Sequence, residues 1–248
     1  NRQEFVKNGV EIKQIGDSIE LNGKVKRDVF QVKEELIRMF LKKKNIEYPS
    51  YWDLTKNKSD KYYELIDVGS TPERTQIEAE FKATLPNNQI IRIERIQNTR
   101  IYKYYYEEKN YLLKNSKNGK VNEVFLWHGT RTVPPSTVYS SDKCGLDSHH
   151  SNEGMWGRGI YLAKNASYSN SYSHTLQDGS KQLLFCSVLI GDSVKLAADK
   201  SLRLPPFKDQ MSGSGDRYDS IEGFTGGSQI FIVYENQKVY PAFLITYK

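Results

Sequence analysis

Residues 157–163 read GRGIYLA: two glycines and an arginine lead into a short run of apolar and aromatic residues. Such a run bounded by glycine favours a β-strand, so we expect one at residues 159–163. Similar runs, separated by Gly, Ser and Pro, occur on both sides of it, at residues 124–127, 183–190, 229–234 and 242–247. The part of the chain that follows Asn118-Gly119 is therefore predicted to be rich in strands.

The segment before this strand-rich part alternates strands with helices. Strands are predicted at residues 61–68 and 90–96. A helix is predicted to begin at Pro72, because proline is favoured in the first turn, and a second helix, rich in tyrosine, is predicted at residues 101–113. Helices followed by a run of strands predict a fold of the α+β class.

The first 44 residues form a separate and smaller pattern. Two strands are predicted at residues 10–15 and 18–21 around a Gly16-Asp17 turn, and a helix follows. This β-β-α segment faintly resembles the last third of a KH-like module, which binds single-stranded RNA, but it lacks a Gly-x-x-Gly clamp. We interpret residues 1–44 as part of an upstream module, a KH-like fragment or a linker, and residues 45–248 as the main domain.

The composition is that of an ordinary folded protein. Hydrophobic residues make up 38% and charged residues 27% of the 248 positions, so wholesale disorder is excluded. Only two cysteines are present, which favours a reducing, intracellular compartment, cytoplasmic or nuclear. No apolar run approaches the roughly 20 residues that span a bilayer, so no membrane partner is expected. Because the chain starts at Asn1 rather than Met, we expect a fragment of a longer protein.

The net charge of +6 is unevenly distributed. Residues 1–44 hold 11 basic and 7 acidic residues, which accounts for four of the six excess positive charges. The main domain is therefore nearly neutral, and a nucleic-acid partner is only weakly supported.

Several common chemical sites are absent from the sequence. The glycine-rich stretch 154–159 lacks the Gly-Lys-Ser/Thr of a phosphate-binding loop, and no serine lies in a Gly-x-Ser-x-Gly elbow. Cys144, His149 and His150 lie near one another, but a structural zinc site needs four ligands at close spacing. We expect no metal cofactor.

Three motifs carry the functional interpretation. The first is LWHGT at residues 126–130, the second runs from Gly157 to Ser169 and Tyr172, and the third is SQIFIVY at residues 228–234. In this order and at these separations they resemble the catalytic domain of the poly(ADP-ribose) polymerase superfamily, over about residues 48–248. The resemblance implies the diphtheria-toxin-like ADP-ribosyltransferase fold, with two packed, mainly antiparallel sheets and flanking helices.

The resemblance also implies an enzyme with NAD+ as its co-substrate. Gly129 would hold the nicotinamide carboxamide through its backbone N–H and C=O, and the Ser169 hydroxyl would add a further bond. His128 resembles the family histidine that holds the adenine-side ribose. Tyr172 would stack on the nicotinamide ring, with Tyr161 packed against the opposite side.

Ile230 stands where chain-elongating members of the family carry a glutamate, and it completes a His-Tyr-Ile set with His128 and Tyr161. An isoleucine neither bonds a ribose hydroxyl nor activates a nucleophile. The resemblance therefore implies transfer of one ADP-ribose unit, with release of nicotinamide. Glu222, expected in a loop, and Glu235 are interpreted as solvated residues that do not replace the missing carboxylate.

The acceptor is expected to be a protein, or the enzyme itself, modified at Glu or Asp side chains, whose carboxylates are already ionised at neutral pH. Two other functions stay open: a non-catalytic module that binds NAD+ or ADP-ribose, and ADP-ribosylation of nucleic-acid ends. The loop at residues 145–156 is expected to be mobile and to cover the donor pocket, and residues 199–227 are expected to shape acceptor access.

Overall fold

The structure is a computed structural model that describes residues 4–7, 9–15, 18–43, 46–56, 61–116, 119–148, 151–209, 211 and 215–248. It divides into two compact units, Asn1–Lys61 and Tyr62–Lys248. The division expected from the sequence, at residues 44 and 45, stays a prediction. Among the described residues no helix is both long enough and apolar enough to cross a membrane.

The first unit contains a three-stranded antiparallel sheet and one long helix. The strands β1, β2 and β3 lie in that order, and α1 follows: Glu4–Lys7, Val10–Ile15, Ser18–Gly23 and Lys26–Lys43. The predicted hairpin is confirmed, since Ile15 pairs with Ser18, while Gly16 and Asp17 lie outside the described residues. Strand β1 was not predicted.

The second unit contains four α-helices in its described residues: α2 Pro72–Lys82, α3 Thr99–Asn115, α4 Pro135–Tyr139 and α5 Ala166–Asn170. Helix α2 begins as predicted, with Pro72 in its first turn and the Thr71 hydroxyl accepting a hydrogen bond from the Arg74 N–H. Helix α3 begins after Asn98, whose side-chain oxygen caps its first turn. The long, strongly patterned helices are thus confirmed.

The strands of the second unit form one hydrogen-bonded path in the order β10-β11-β12-β7-β6-β9-β13-β5-β4, with β8 paired to β9. Their bounds are Tyr63–Asp67 (β4), Ile90–Asn98 (β5), Glu123–His128 (β6), Ile160–Ala163 (β7), His174–Thr175 (β8), Lys181–Leu189 (β9), Ser193–Lys195 (β10), Ser220–Thr225 (β11), Ser228–Val233 (β12) and Val239–Tyr247 (β13). The pairings are antiparallel apart from β10 with β11. The predicted α+β class is therefore confirmed.

Two groups of strands meet at β6 and β7, which pair through Trp127 and Ala163 alone. Strand β7 then alternates between two hydrophobic clusters. Ile160 and Leu162 belong to one cluster, whereas Ala163 belongs to the other and Tyr161 packs against it. Because side chains alternate along a strand, β7 brings Tyr161 to the same face as Ile230 on β12.

The short elements differ from the sequence expectation. Helices α4 and α5 and strands β8, β10 and β11 were not predicted, and the prediction that Glu222 lies in a loop was wrong, because it lies on β11. Strand β11 contains Gly223 and is stabilised by pairing with both β10 and β12. Its formation depends on these distant neighbours rather than on its own sequence pattern.

Candidate active site

His128 lies at the end of β6, where its ring is hydrogen-bonded to the backbone of β7. Its Nδ1 is 2.8 Å from the Tyr161 carbonyl oxygen. A carbonyl only accepts, so Nδ1 carries the proton, and Nε2 is an acceptor in the neutral ring. Burial lowers the pKa of His128 below its usual value of 6.5, although the hydrogen bond to Tyr161 acts in the opposite direction. The ring is thus neutral at pH 7.

Gly129 lies in a narrow slot against the backbone that follows α5. A Cβ atom at this position would collide with the carbonyl groups of Tyr172 and Ser169, so only glycine fits. Among the described residues, neither the N–H nor the C=O of Gly129 makes a hydrogen bond. Gly129 therefore offers one donor and one acceptor to a ligand.

Ser169 borders the same slot and is only 3% exposed. Its hydroxyl donates a hydrogen bond of 3.0 Å to the Trp127 carbonyl oxygen. The hydroxyl oxygen keeps its lone pairs, so Ser169 adds a further polar group beside Gly129.

Tyr161 connects β7 to the glycine-rich turn that precedes it. Its hydroxyl donates to the Gly157 carbonyl oxygen at 2.7 Å and accepts from the Trp156 N–H at 2.8 Å. Burial raises the pKa of Tyr161 to about 12, so the phenol stays protonated at neutral pH. Both hydrogen-bonding functions of the phenol are thus committed to this turn.

Trp156 fixes that turn over β11 and β12. It is buried, its ring lies against Gly223, and its indole N–H donates to the Leu196 carbonyl oxygen at 3.0 Å. Its own carbonyl oxygen accepts from the Tyr234 hydroxyl at 2.6 Å. The sequence placed Trp156 only at the end of the loop that was expected to cover the donor pocket, and gave it no role of its own.

Ile230 is fully buried in the hydrophobic cluster that contains Trp156, Ala163 and Tyr234. It brings no polar group to this face of the sheet. The carboxylates of Glu222 and Glu235 do not supply such a polar group either. Glu222 forms an ion pair with Lys195 on the face of β11 opposite to Gly223, and Glu235 is bonded to a different lysine, Lys238.

Tyr172 lies beside two residues that the sequence analysis did not name. The Tyr168 ring is 5.4 Å from the Tyr172 ring, centroid to centroid, and also packs against the cluster of Ile230. The Arg131 guanidinium carbon is 4.4 Å from the Tyr172 ring centroid. The one available signal for Arg131 was its position just after the LWHGT motif.

The loop before this site is anchored at its described ends. The Ser148 N–H donates to the Asn236 side chain at 2.9 Å, and Trp156 is held as above. Residues 149 and 150 lie outside the described residues, and the mobility of this loop stays a prediction. Among the residues that the structure describes, no group of three His, Cys, Asp or Glu side chains is placed to bind a metal ion.

The motifs are thus brought to one place. The strand ends of β6 and β7, the start of β12 and the segment after α5 hold a histidine, a backbone slot and a set of tyrosines together. A family model for the poly(ADP-ribose) polymerase catalytic domain matches residues 71–225.

The chain belongs to this family.

Curated relatives agree with this membership of the poly(ADP-ribose) polymerase family. A probable poly [ADP-ribose] polymerase of Dictyostelium discoideum is 33% identical over 81% of this chain and 57% of its own length. The Homo sapiens protein mono-ADP-ribosyltransferase PARP14 is 29% identical over 84% of this chain and 11% of its own length. The Mus musculus protein mono-ADP-ribosyltransferase PARP11 is 27% identical over 82% of this chain and 65% of its own length.

The chain therefore spans between 11% and 65% of the length of these relatives. Within the matched poly(ADP-ribose) polymerase range lie all the predicted site residues except Ile230, which follows the end of that range. The roles assigned to the individual site residues stay predictions.

Proposed function

We propose that this domain is a mono-ADP-ribosyltransferase, which transfers one ADP-ribose unit from NAD+ to an acceptor and releases nicotinamide. The observation that carries the proposal is the slot at Gly129, whose free N–H and C=O lie beside Ser169 and Tyr172. A carboxamide needs one acceptor and one donor at such a spacing. The names of relatives such as PARP14 and PARP11 also support single-unit transfer.

The slot holds the leaving group. The Gly129 N–H donates to the carboxamide oxygen of nicotinamide, and the Gly129 C=O accepts from its amide nitrogen. Ser169 adds a bond to the same carboxamide, and Tyr172 stacks on the ring. Because these groups are fixed by the fold before the substrate arrives, the nicotinamide ring is oriented without a further loss of protein entropy.

His128 orients the sugar. Its neutral ring presents Nε2 as an acceptor, because Nδ1–H is held by the Tyr161 carbonyl. A ribose hydroxyl of the adenine side donates to Nε2. NAD+ is thereby held at both ends, with the bond between ribose C1′ and nicotinamide N1 between them.

The reaction breaks the C1′–N1 bond and forms a bond from C1′ to the acceptor. The electron pair of the broken bond goes to N1, so nicotinamide leaves as a neutral molecule, and positive charge develops on the ribose. An acceptor carboxylate oxygen of a protein Glu or Asp, on another protein or on this one, supplies the electron pair of the new bond. It needs no deprotonation, which suits a site where Ile230 replaces a carboxylate.

Incubation with labelled NAD+ and mixed protein acceptors tests the proposal, with mass spectrometry of the products. We expect one ADP-ribose per modified carboxylate, and loss of labelling by at least about 100-fold in His128→Ala. Tyr111→Phe is the matched control, because that tyrosine is 61% exposed on α3, and it should label like the wild type.

Three results would contradict parts of the proposal. Long ADP-ribose chains would exclude single-unit transfer, and labelling of nucleic-acid ends rather than protein would exclude the carboxylate acceptor. Binding of NAD+ without any transfer would indicate the non-catalytic module instead.

A further inference from the structure

Arg131 adopts a backbone conformation that is unusual for arginine. Its φ of 53° lies in the left-handed region, which residues other than glycine seldom occupy. Two hydrogen bonds hold it there: its N–H donates to the Tyr172 carbonyl oxygen at 2.8 Å, and its C=O accepts from His174 Nδ1 at 2.8 Å. A strained residue fixed by its neighbours at a functional site points to a role for its side chain.

The consequence of this backbone is the position of the guanidinium. Its carbon lies 4.4 Å from the centroid of the Tyr172 ring, which is the geometry of a cation–π contact. Among the described residues no carboxylate forms an ion pair with Arg131. One face of Tyr172 is therefore covered by a positive charge that no described acidic group neutralises.

We propose that Arg131 is a positioning residue that acts through Tyr172: it occupies one face of the ring, leaves the other face for nicotinamide, and disfavours the cationic form of that ligand. This proposal rests on the proposed function above. Through Arg131, the site binds the neutral nicotinamide that leaves in preference to the positively charged nicotinamide ring of NAD+.

The physical basis is the change of charge during the reaction. The nicotinamide ring of NAD+ is a cation, and it becomes neutral when the C1′–N1 electron pair moves onto N1. A tyrosine ring already bound by one cation attracts a second cation less, and the two charges repel each other across the ring. Cleavage relieves this repulsion, because the positive charge leaves the ring that stacks on Tyr172 and moves to the ribose. The interaction thus raises the energy of bound NAD+ more than that of the transition state.

Removal of the charge should therefore lower KM and kcat together. We expect Arg131→Gln to lower KM for NAD+ by about 3- to 10-fold and kcat by a similar factor, with kcat/KM nearly unchanged, because an exposed charge is partly screened by solvent. Arg131→Lys keeps the charge and should restore most of the wild-type values.

Two probes with the same ring isolate the effect of charge. Inhibition constants are measured for nicotinamide, which is neutral, and for 1-methylnicotinamide, which is a cation. In Arg131→Gln the constant for 1-methylnicotinamide should fall by about 3- to 10-fold, while that for nicotinamide stays unchanged. Arg100→Gln is the matched control, since Arg100 lies over the Tyr62 ring at the same 4.4 Å, and it should leave both constants at their wild-type values.

Arg131→Gly separates this effect from a defect in folding. Glycine adopts a positive φ readily, so this variant should be at least as stable as the wild type and should show the same ligand preference as Arg131→Gln. This variant removes the strained conformation as well as the charge. Because only the loss of charge should change the two inhibition constants, their change cannot be attributed to misfolding.

Several results would overturn the inference. If Arg131→Gln tightened both probes equally, the guanidinium would occupy the nicotinamide face itself; if it weakened both equally, Arg131 would only support the ring. Failure of Arg131→Lys to restore the preference would exclude charge as the cause. A wild-type domain that binds neither NAD+ nor nicotinamide would overturn the proposed function and the inference together, whereas an active wild type with unchanged Arg131 variants would overturn the inference alone.

Discussion

The backbone carbonyl of Tyr161 holds the ring of His128, with Nδ1 at 2.8 Å from the carbonyl oxygen. The side chain of the same tyrosine holds the turn at Gly157, through its hydroxyl. One residue of β7 therefore connects the histidine at the end of β6 to the glycine-rich turn. A change in that turn can therefore reach His128 through Tyr161.

Tyr161→Phe removes both hydrogen bonds of the phenol and leaves the backbone contact to His128 intact. The Trp156 N–H then loses its acceptor in a buried position, so we expect a loss of about 1–3 kcal/mol in the free energy of unfolding. Urea denaturation measures this loss. The exposed Tyr111→Phe should stay within about 0.5 kcal/mol of the wild type. Equal stability of Tyr161→Phe and the wild type would show that the turn is held by other contacts.

The lowered pKa of His128 predicts a dependence of stability on pH. Above pH 6.5 the ring is neutral in both the folded and the unfolded chain, and it adds no penalty. As the pH falls below 6.5, His128 takes up a proton in the unfolded chain before it does so in the folded chain. The folded state therefore loses stability until the pH falls below the pKa of His128 in the folded chain. Each unit of separation between the two pKa values corresponds to about 1.4 kcal/mol.

This loss of stability is measured by urea unfolding between pH 7.5 and pH 5. It should be smaller in His128→Gln, which has no titrating ring, and should be retained in His174→Gln, which leaves His128 in place. If the free energy of unfolding fell as steeply with pH in His128→Gln as in the wild type, the assignment of this loss to His128 would be wrong.

Gly129→Ala tests the slot. The added Cβ would meet the Tyr172 carbonyl, and the backbone has to shift to admit it. We expect a loss of about 1–3 kcal/mol in stability, and nicotinamide binding weaker by at least about 10-fold, because the N–H and C=O of residue 129 no longer keep their positions. Calorimetric titration with nicotinamide measures the binding. Thr130→Ala is the control: the Thr130 hydroxyl is hydrogen-bonded within an exposed turn, so this variant should bind nicotinamide as the wild type does. Unchanged nicotinamide binding by Gly129→Ala would exclude the slot as the binding site.

The sequence was sufficient to predict the long elements, because their periodicity is local. Strands such as β7, β9 and β12 and helices such as α2 have continuous hydrophobic patterns, and each was found near its predicted position. The His-Gly pair, Tyr161 and Tyr172 were also named in advance, since they lie in motifs that the family resemblance made recognisable.

The rest depends on contacts between distant segments. Nothing local to Arg131 indicates a left-handed φ, which arises because Tyr172 and His174 lie within hydrogen-bonding distance. Likewise, Trp156 is buried because Gly223, far along the chain, leaves room for its ring. Single-residue patterns carry no information about such pairs, so the sequence did not reveal either residue.

Ile230→Glu tests whether a carboxylate at this position would change the product. The side chain is fully buried with Ala163 and Trp156, and no described cation lies in that cluster to pair with a new charge. Burial of an unpaired carboxyl group should lower the free energy of unfolding by about 3–5 kcal/mol. The variant should therefore lose activity and should not elongate chains, as shown by mass spectrometry of its products. Ile230→Val is the control, with a loss of about 0.5–1.5 kcal/mol and single-unit products. A stable Ile230→Glu that forms long chains would show that the cluster opens to admit the carboxylate and that residue 230 alone limits the reaction to one unit.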